Sequence, residues 1–332
     1  MIDCRNTIFH ESGRLPLRAF GGHLDKEHED TSRRNSVAAP VKGADFTPTA
    51  ALVRAEFGAR SHRGRVQEQN DDHYLVLGLR RHADTLLTSL ASVDLPTGVD
   101  EHAYAAVVAD GIGAAGAGSV AARLAISTLA HLAFKFGQWN MRIDPATASE
   151  ILERATWLYR KTHETVLQRS LAEARFAGMA ATLTGLYSVG SDLFVAHVGH
   201  SRCYLFRNGT LVQLTRDDTL EEHRATSLHP IRIDGTVEDV SHVVTHVVGG
   251  GNGGRVVVEN FRLQDDDTLL LCTNGLTDVV EDDAIADTLG SRRTPGEQCD
   301  QLVDIALAKG TKDDVTVVIG NYHIASLPAG AR

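Results

Sequence analysis

A layered α+β domain built mainly from antiparallel strands is what this 332-residue sequence encodes. Short apolar runs rich in Val, Leu, Tyr and Phe recur from residue 51 onward. Several are joined by turns too tight for parallel pairing, and a central pair of long helical stretches is followed by one more near the C-terminus.

The strand-like runs are LVRAEFG, HYLVLGL, YAAVVAD, TLTGLYSV, DLFVAHVG, RCYLFRNGTLVQL, RVVVENFRL, DTLLLCT and VTVVIGNYHI. Asn208-Gly209 separates CYLFR from TLVQL, a strong signal for a type I′ hairpin, and Gly190-Ser191 separates the two preceding runs. Gly118 to Phe136 carries Val120, Leu124, Ile126, Leu129 and Leu132 at near-helical spacing, with Ser119 near its start. Ala146 to Ala174 forms a second stripe through Ile151, Leu152, Ala155, Leu158, Tyr159 and Val166. A third helix is expected over Pro295 to Lys309, opened by Pro295 and stopped by Gly310. Residues 80 to 103 read as an inserted loop or short helix punctuated by Pro96-Thr97-Gly98. Asp265-Asp266-Asp267 reads as a solvated hairpin turn.

Residues 1–50 are polar, of mixed charge and without periodicity, as expected of a disordered extension. One domain is expected over residues 51–325, followed by a short tail, 326–332. The net charge of -10 provides no basic footprint for nucleic acid and disfavours anionic membranes. No run of eighteen uncharged apolar residues occurs: Asp110, Arg123 and Lys135 interrupt the most apolar region, so no transmembrane helix is expected. Cys4, Cys203, Cys272 and Cys299 show no CxxC spacing and no disulfide density, which fits a reducing compartment and makes the cytoplasm the default.

Acidic and amide residues stand just outside four of the strand-like runs. They are Asn70-Asp71-Asp72 before HYLVLGL, Asp110-Gly111 after YAAVVA, Asn274-Gly275 after TLLLCT and Asp313-Asp314 before VTVVIG. Carboxylates gathered at one end of a sheet repel one another and call for a cation. Oxygen ligands without a nearby Cys or His pair favour Mg²⁺ or Mn²⁺ over zinc, and that suggests metal-assisted phosphate chemistry. A serine-nucleophile hydrolase finds no Gly-x-Ser-x-Gly elbow here.

These motifs, in the order SHRGRVQEQNDDHYLV, VVADGIGAAGAGSVAARLA, GMAATLTGLYSVGSDLFVAHVGHSRCYLFRNGTLVQLTRDD, LLLCTNGLTDVVEDDAI and GTKDDVTVVI, resemble the metal-dependent protein phosphatases of the PPM, or type 2C, family. The resemblance runs from about Arg60 to Ile324. It implies a four-layer α-β-β-α sandwich with two packed antiparallel sheets, and a centre of two Mg²⁺ or Mn²⁺ ions at one end. It also implies hydrolysis of protein phosphoserine and phosphothreonine by a metal-activated water, in opposition to a serine/threonine kinase.

By the same resemblance, Asp110 bridges both metals, the Gly111 carbonyl ligates one, Asp313 is the C-terminal ligand, and Asp72 holds metal-bound water. Asp71 fills the position of a glutamate and Asp314 that of an asparagine. Asn274 stands where the family supplies an aspartate to the second metal, which implies a loss of about one to three orders of magnitude in affinity there. Gln67 fills the place of the phosphate-binding arginine, leaving Arg65 as the nearby substitute. His200 replaces an aspartate in Gly-His-Ser-Arg, and Arg202 of that motif is expected to pair with a local carboxylate. Ile112 takes the place of a histidine acid, and Gly178 to Thr182 supplies no aspartate for a third metal. Asn274 and Gln67 also sustain an alternative: a catalytically weakened relative that serves as a regulator or binding module.

Overall fold

The computed structural model describes residues 52–325 except 67, 91–98, 138, 140, 142, 221–243 and 252–254. The expected N-terminal extension, the tail at 326–332, Cys4, Gln67 and the Pro96-Thr97-Gly98 punctuation lie outside the described residues.

The strands are β1 (Val53–His62), β2 (His73–Ala83), β3 (Val99–Ala109), β4 (Gly111–Ile112), β5 (Ala180–Ala181), β6 (Leu183–Val189), β7 (Asp192–Val198), β8 (Arg202–Arg207), β9 (Thr210–Gln213), β10 (Val257–Arg262), β11 (Thr268–Cys272) and β12 (Val315–Ile324). The helices are α1 (Ala117–Phe136), α2 (Pro145–Ala172), α3 (Asn274–Thr277), α4 (Asp282–Leu289) and α5 (Pro295–Ala308). Five strands form one sheet in the order β1-β12-β11-β8-β9 and five form a second in the order β10-β7-β6-β3-β2. All neighbouring strands in both sheets run antiparallel.

Side-chain alternation sorts the layers. Ala106 and Val108 of β3, with Leu186, Leu193 and Val195, meet Cys203, Leu205, Leu269, Leu271 and Val318 between the sheets. The intervening Val107 turns outward to Ala121 and Ala125 of α1 and Tyr159 and Val166 of α2. On the other side, Val315, Val317 and Ile319 of β12 turn outward to Cys299, Leu302 and Val303 of α5. The result is the four-layer α-β-β-α sandwich.

Local chemistry explains the element ends. Asn208 and Gly209 both take positive φ, 51° and 78°, as a type I′ turn requires. The α2 helix opens on Pro145, and the Asp144 side chain accepts from the Thr147 amide at 2.7 Å. A capping box between Thr294 and Glu297 starts α5, and Gly310, at φ 83°, follows its end. Ser119 does not cap α1; its hydroxyl meets His73 Nε2 at 3.0 Å.

Two sequence expectations are corrected. Residues 80–83 and 99–103 belong to β2 and β3, whose ladder continues to Ala83↔Val99, so the insertion is shorter than residues 80 to 103. Asp265 to Asp267 is no hairpin turn, because β10 and β11 lie in different sheets. Asp267 is fully buried and paired with Arg207 at 2.6 Å, while Asp265 and Asp266 are exposed. Among the described residues, α1 is the one helix long and apolar enough to cross a membrane by length and composition alone. Here its Ala117, Ala121, Ala122, Ala125 and Ile126 are buried in the cluster over the second sheet.

Candidate active site

Strand register brings the acidic motifs to one end of the sandwich. His73, the first residue of β2, pairs with Ala109, the last of β3, so Asp72 and Asp110 flank one cross-strand pair. In the other sheet, Val315 opens β12 opposite the end of β1, and Cys272 closes β11 opposite Val317. Asn274 and Asp313 therefore emerge side by side, and Asn274 Nδ2 donates to Asp313 Oδ2 at 3.3 Å.

Hydrogen bonds join the two sheets at this end. Thr273 Oγ1 donates to Asp72 Oδ2 at 2.7 Å. Asp314 accepts from the Asp71 amide at 2.7 Å with one carboxylate oxygen and from the Gly64 amide at 2.8 Å with the other. An asparagine could accept with only one of its side-chain atoms, so the aspartate at 314 has a structural use. Gly111 is needed for contact: a Cβ there would overlap the Gly118 carbonyl and lie 2.8 Å from the Asp71 carbonyl oxygen.

Asp110 is held by its backbone on both sides. Its amide donates to Thr182 Oγ1 at 3.0 Å, and its carbonyl accepts from the Thr182 amide at 2.9 Å. Thr182 Oγ1 also lies 2.7 Å from Ser201 Oγ, and both hydroxyls are fully buried. Thr182→Val keeps the shape but orphans the Asp110 N–H, which costs about 1–3 kcal/mol. We expect kcat to fall roughly tenfold with KM unchanged. A lowered melting temperature with kcat intact would make Thr182 merely structural.

Burial pushes Asp110 up to about 8, and Asp313, Asp314, Asp71 and Asp278 push in the same direction. Asp72 is raised first by burial and next by Asp110, against hydrogen bonds from Thr273 and Thr316. Asp314 is raised by burial, partly offset by its two backbone donors. The folded chain thus keeps a proton on Asp110 that the unfolded chain releases above about pH 4. Stability in chelator is therefore greatest below that pH and is lost as pH rises toward about 8. Melting temperatures in EDTA from about pH 5 to about pH 8 are expected to decline steadily; a rising profile would contradict this assignment.

The donor set fits a hard divalent cation. Asp72 Oδ1 and Asn274 Oδ1 are buried without a hydrogen-bond partner among the described residues, and the leading influences on Asp110 include four carboxylates and no cation. Buried oxygens in such a field are donors of the kind that Mg²⁺ and Mn²⁺ take. A separate exposed group, Asp265, Asp266 and His323, also has ligand spacing, but it lies at the opposite end of β12.

Of the remaining expected residues, His200 Nε2 stands 3.9 Å from Asp110 Oδ2. Arg202 forks onto Asp217, with Nη2 2.7 Å from Oδ2, as expected of a local pair. Arg65 is a correction: its guanidinium donates to the Leu307 carbonyl at the end of α5, at 3.0 Å, and not to the acidic cluster. Sequence reasoning missed Asp278, whose Oδ2 accepts from Asn274 Nδ2 at 3.0 Å. The i,i+4 spacing in NGLTD could have revealed it once a helical turn was assigned there.

Two antiparallel sheets between helix layers, with buried carboxylates converging from both sheets, define a metal-dependent phosphatase of the sandwich class. A family model described as Protein phosphatase 2C matches residues 95–305. The chain belongs to the protein phosphatase 2C family and is a metal-dependent serine/threonine phosphatase. The serine/threonine phosphatase stp of Listeria welshimeri serovar 6b is 30% identical over 272 residues, covering 80% of this chain and 95% of that protein. The serine/threonine protein phosphatase PstP of Mycobacterium tuberculosis is 30% identical over 269 residues, covering 80% of this chain and 44% of that longer protein. A crystal structure of the PstP catalytic domain in complex with two manganese ions is 26% identical, with a TM-score of 0.60 over 82% of this chain and 99% of that one.

Proposed function

We propose that Asp72, Asp110, Gly111, Asn274 and Asp313 hold two divalent cations, Mg²⁺ or Mn²⁺, and that the protein removes phosphate from phosphoserine and phosphothreonine of a partner protein. The observation that carries this reading is the burial of Asp110 among four further acids beside two orphaned oxygens. When bound, such cations supply a water nucleophile at neutral pH and neutralise phosphoryl oxygens. Asp110 contributes its carboxylate from a backbone locked by Thr182, and Asp72 is oriented by Thr273. Gly111 allows close approach of the chain, and Asp314 ties the loop bearing Asp313 to that bearing Asp72.

The second cation is held weakly in this reading. Asn274 brings an amide where a carboxylate would add charge, and its Nδ2 donates into Asp313 and Asp278. That bond already engages an oxygen of Asp313, which favours the alternative of a weakened enzyme retained as a regulator. We read residues 51–325 as one catalytic domain that opposes a serine/threonine kinase in the cytoplasm. Support for the compartment comes from Cys203, Cys272 and Cys299, which are free and buried. The test is hydrolysis of a phosphothreonine peptide across a Mn²⁺ titration into the millimolar range. Metal-dependent turnover is the expected result; an inert protein at every concentration leaves only the regulator.

A further inference from the structure

His200 stands in the turn between β7 and β8, with 10% of its side chain exposed, and its Nε2 faces Asp110 Oδ2 at 3.9 Å. Both of its neighbours are anchored. The Gly199 amide donates to the Asp218 carboxylate at 3.0 Å, and the Gly199 carbonyl accepts from the Asp218 amide at 2.7 Å. On the other side, the Ser201 carbonyl accepts from Thr184 Oγ1 at 3.0 Å, and Ser201 Oγ lies 2.7 Å from Thr182 Oγ1. That Thr182 hydroxyl is the one that accepts from the Asp110 amide. One buried hydroxyl pair thus ties together the backbones that carry the imidazole and the carboxylate. The framework, rather than their mutual attraction, sets the distance between them.

Elsewhere in the fold histidine and aspartate close on one another: His82 Nε2 lies 3.0 Å from Asp84 Oδ2, and His102 Nε2 lies 3.2 Å from Asp100 Oδ2. The gap of 3.9 Å at His200 is too long for a hydrogen bond. It suits two donors of one ion. With ligand atoms about 2.1 Å from a metal, adjacent ones lie about 3 Å apart and opposite ones about 4 Å apart. A neutral imidazole also solves a problem of charge. Asp313, Asp314, Asp71 and Asp278 already crowd Asp110, and a nitrogen strengthens the donor set without adding another negative charge.

We propose that His200 is a nitrogen ligand, through Nε2, of the divalent cation held by Asp110, and that it biases the centre toward a first-row transition ion over Mg²⁺. The inference rests on the reading of Asp110 as a metal ligand. Mg²⁺ is served by oxygen alone, whereas first-row transition ions accept imidazole.

Pulsed electron paramagnetic resonance of the full chain loaded with Mn²⁺ reads such a bond directly. Wild type is expected to show the modulation of a directly coordinated ¹⁴N nucleus, and His200→Asp is expected to abolish it while Mn²⁺ stays bound. Calorimetric titration with Mn²⁺ and with Mg²⁺ measures the selectivity. The ratio of Mn²⁺ to Mg²⁺ affinity is expected to fall about tenfold in His200→Asp. Uptake of Mn²⁺ without nitrogen coupling, or coupling that survives His200→Asp, overturns the histidine ligand and leaves the acidic site standing. An unchanged affinity ratio overturns the selectivity. No uptake of either ion overturns this inference and the reading of the acidic end together. Should His200→Asp not fold, His200→Asn takes its place, and wild type labelled with ¹⁵N-histidine must exchange the ¹⁴N modulation for a ¹⁵N doublet; persistence of the ¹⁴N signal overturns the proposal.

Discussion

Replacing Asp110 with alanine is expected to reduce phosphothreonine peptide hydrolysis by roughly 10³-fold or more, even at saturating Mn²⁺. The carboxylate is the one toward which Asp313, Asp314, Asp71 and Asp278 all direct their fields, and it is buried. The same substitution is expected to have the opposite effect on the metal-free chain. At a pH near 8 the wild-type carboxyl is losing its proton inside an acidic cluster, so its removal relieves repulsion and raises the melting temperature in EDTA. Loss of activity together with gain in metal-free stability separates a ligand from a framework residue. Retained turnover in Asp110→Ala would defeat the catalytic assignment.

Asn274→Asp is expected to lower the Mn²⁺ concentration required for half-maximal activity by about one to three orders of magnitude. The added carboxylate restores a charge and removes the amide that now donates to Asp313 and Asp278. Without metal, the variant places one more acid beside Asp313 and Asp278, so its stability in EDTA is expected to drop as pH rises. Titration of activity against Mn²⁺ for wild type and variant checks the first effect. An unchanged requirement would show that Asn274 Oδ1 already serves the second ion as well as a carboxylate does.

The strand-like runs were legible because tight Gly-containing turns and period-two burial are local properties. Asn208-Gly209 and Pro295 marked their elements nearly to the residue. The order of the acidic motifs was legible for a related reason, since each borders a strand end. Partnership between elements was not local. Nothing in Asp265 to Asp267 announces that the chain crosses there from one sheet to the other, or that Arg207 neutralises the buried Asp267. The four-residue α3 is too short to show periodicity, which hid Asp278 behind Asn274. Arg65 was assigned by nearness in sequence to Gln67, whereas the path of its loop carries it to the C-terminal turn of α5.

The two ends of the sandwich are closed by different means. At one, Arg207 of β8 forks onto Asp267, which precedes β11 in the same sheet, and it reaches the second sheet by donating to the Arg262 carbonyl at 2.8 Å. At the other, the bonds through Thr273 and Asp314 work against a crowd of like charges. Opposite charges are thus paired at one end and like charges gathered at the other, so the supply of counter-charge bears on the acidic mouth more than on the far end.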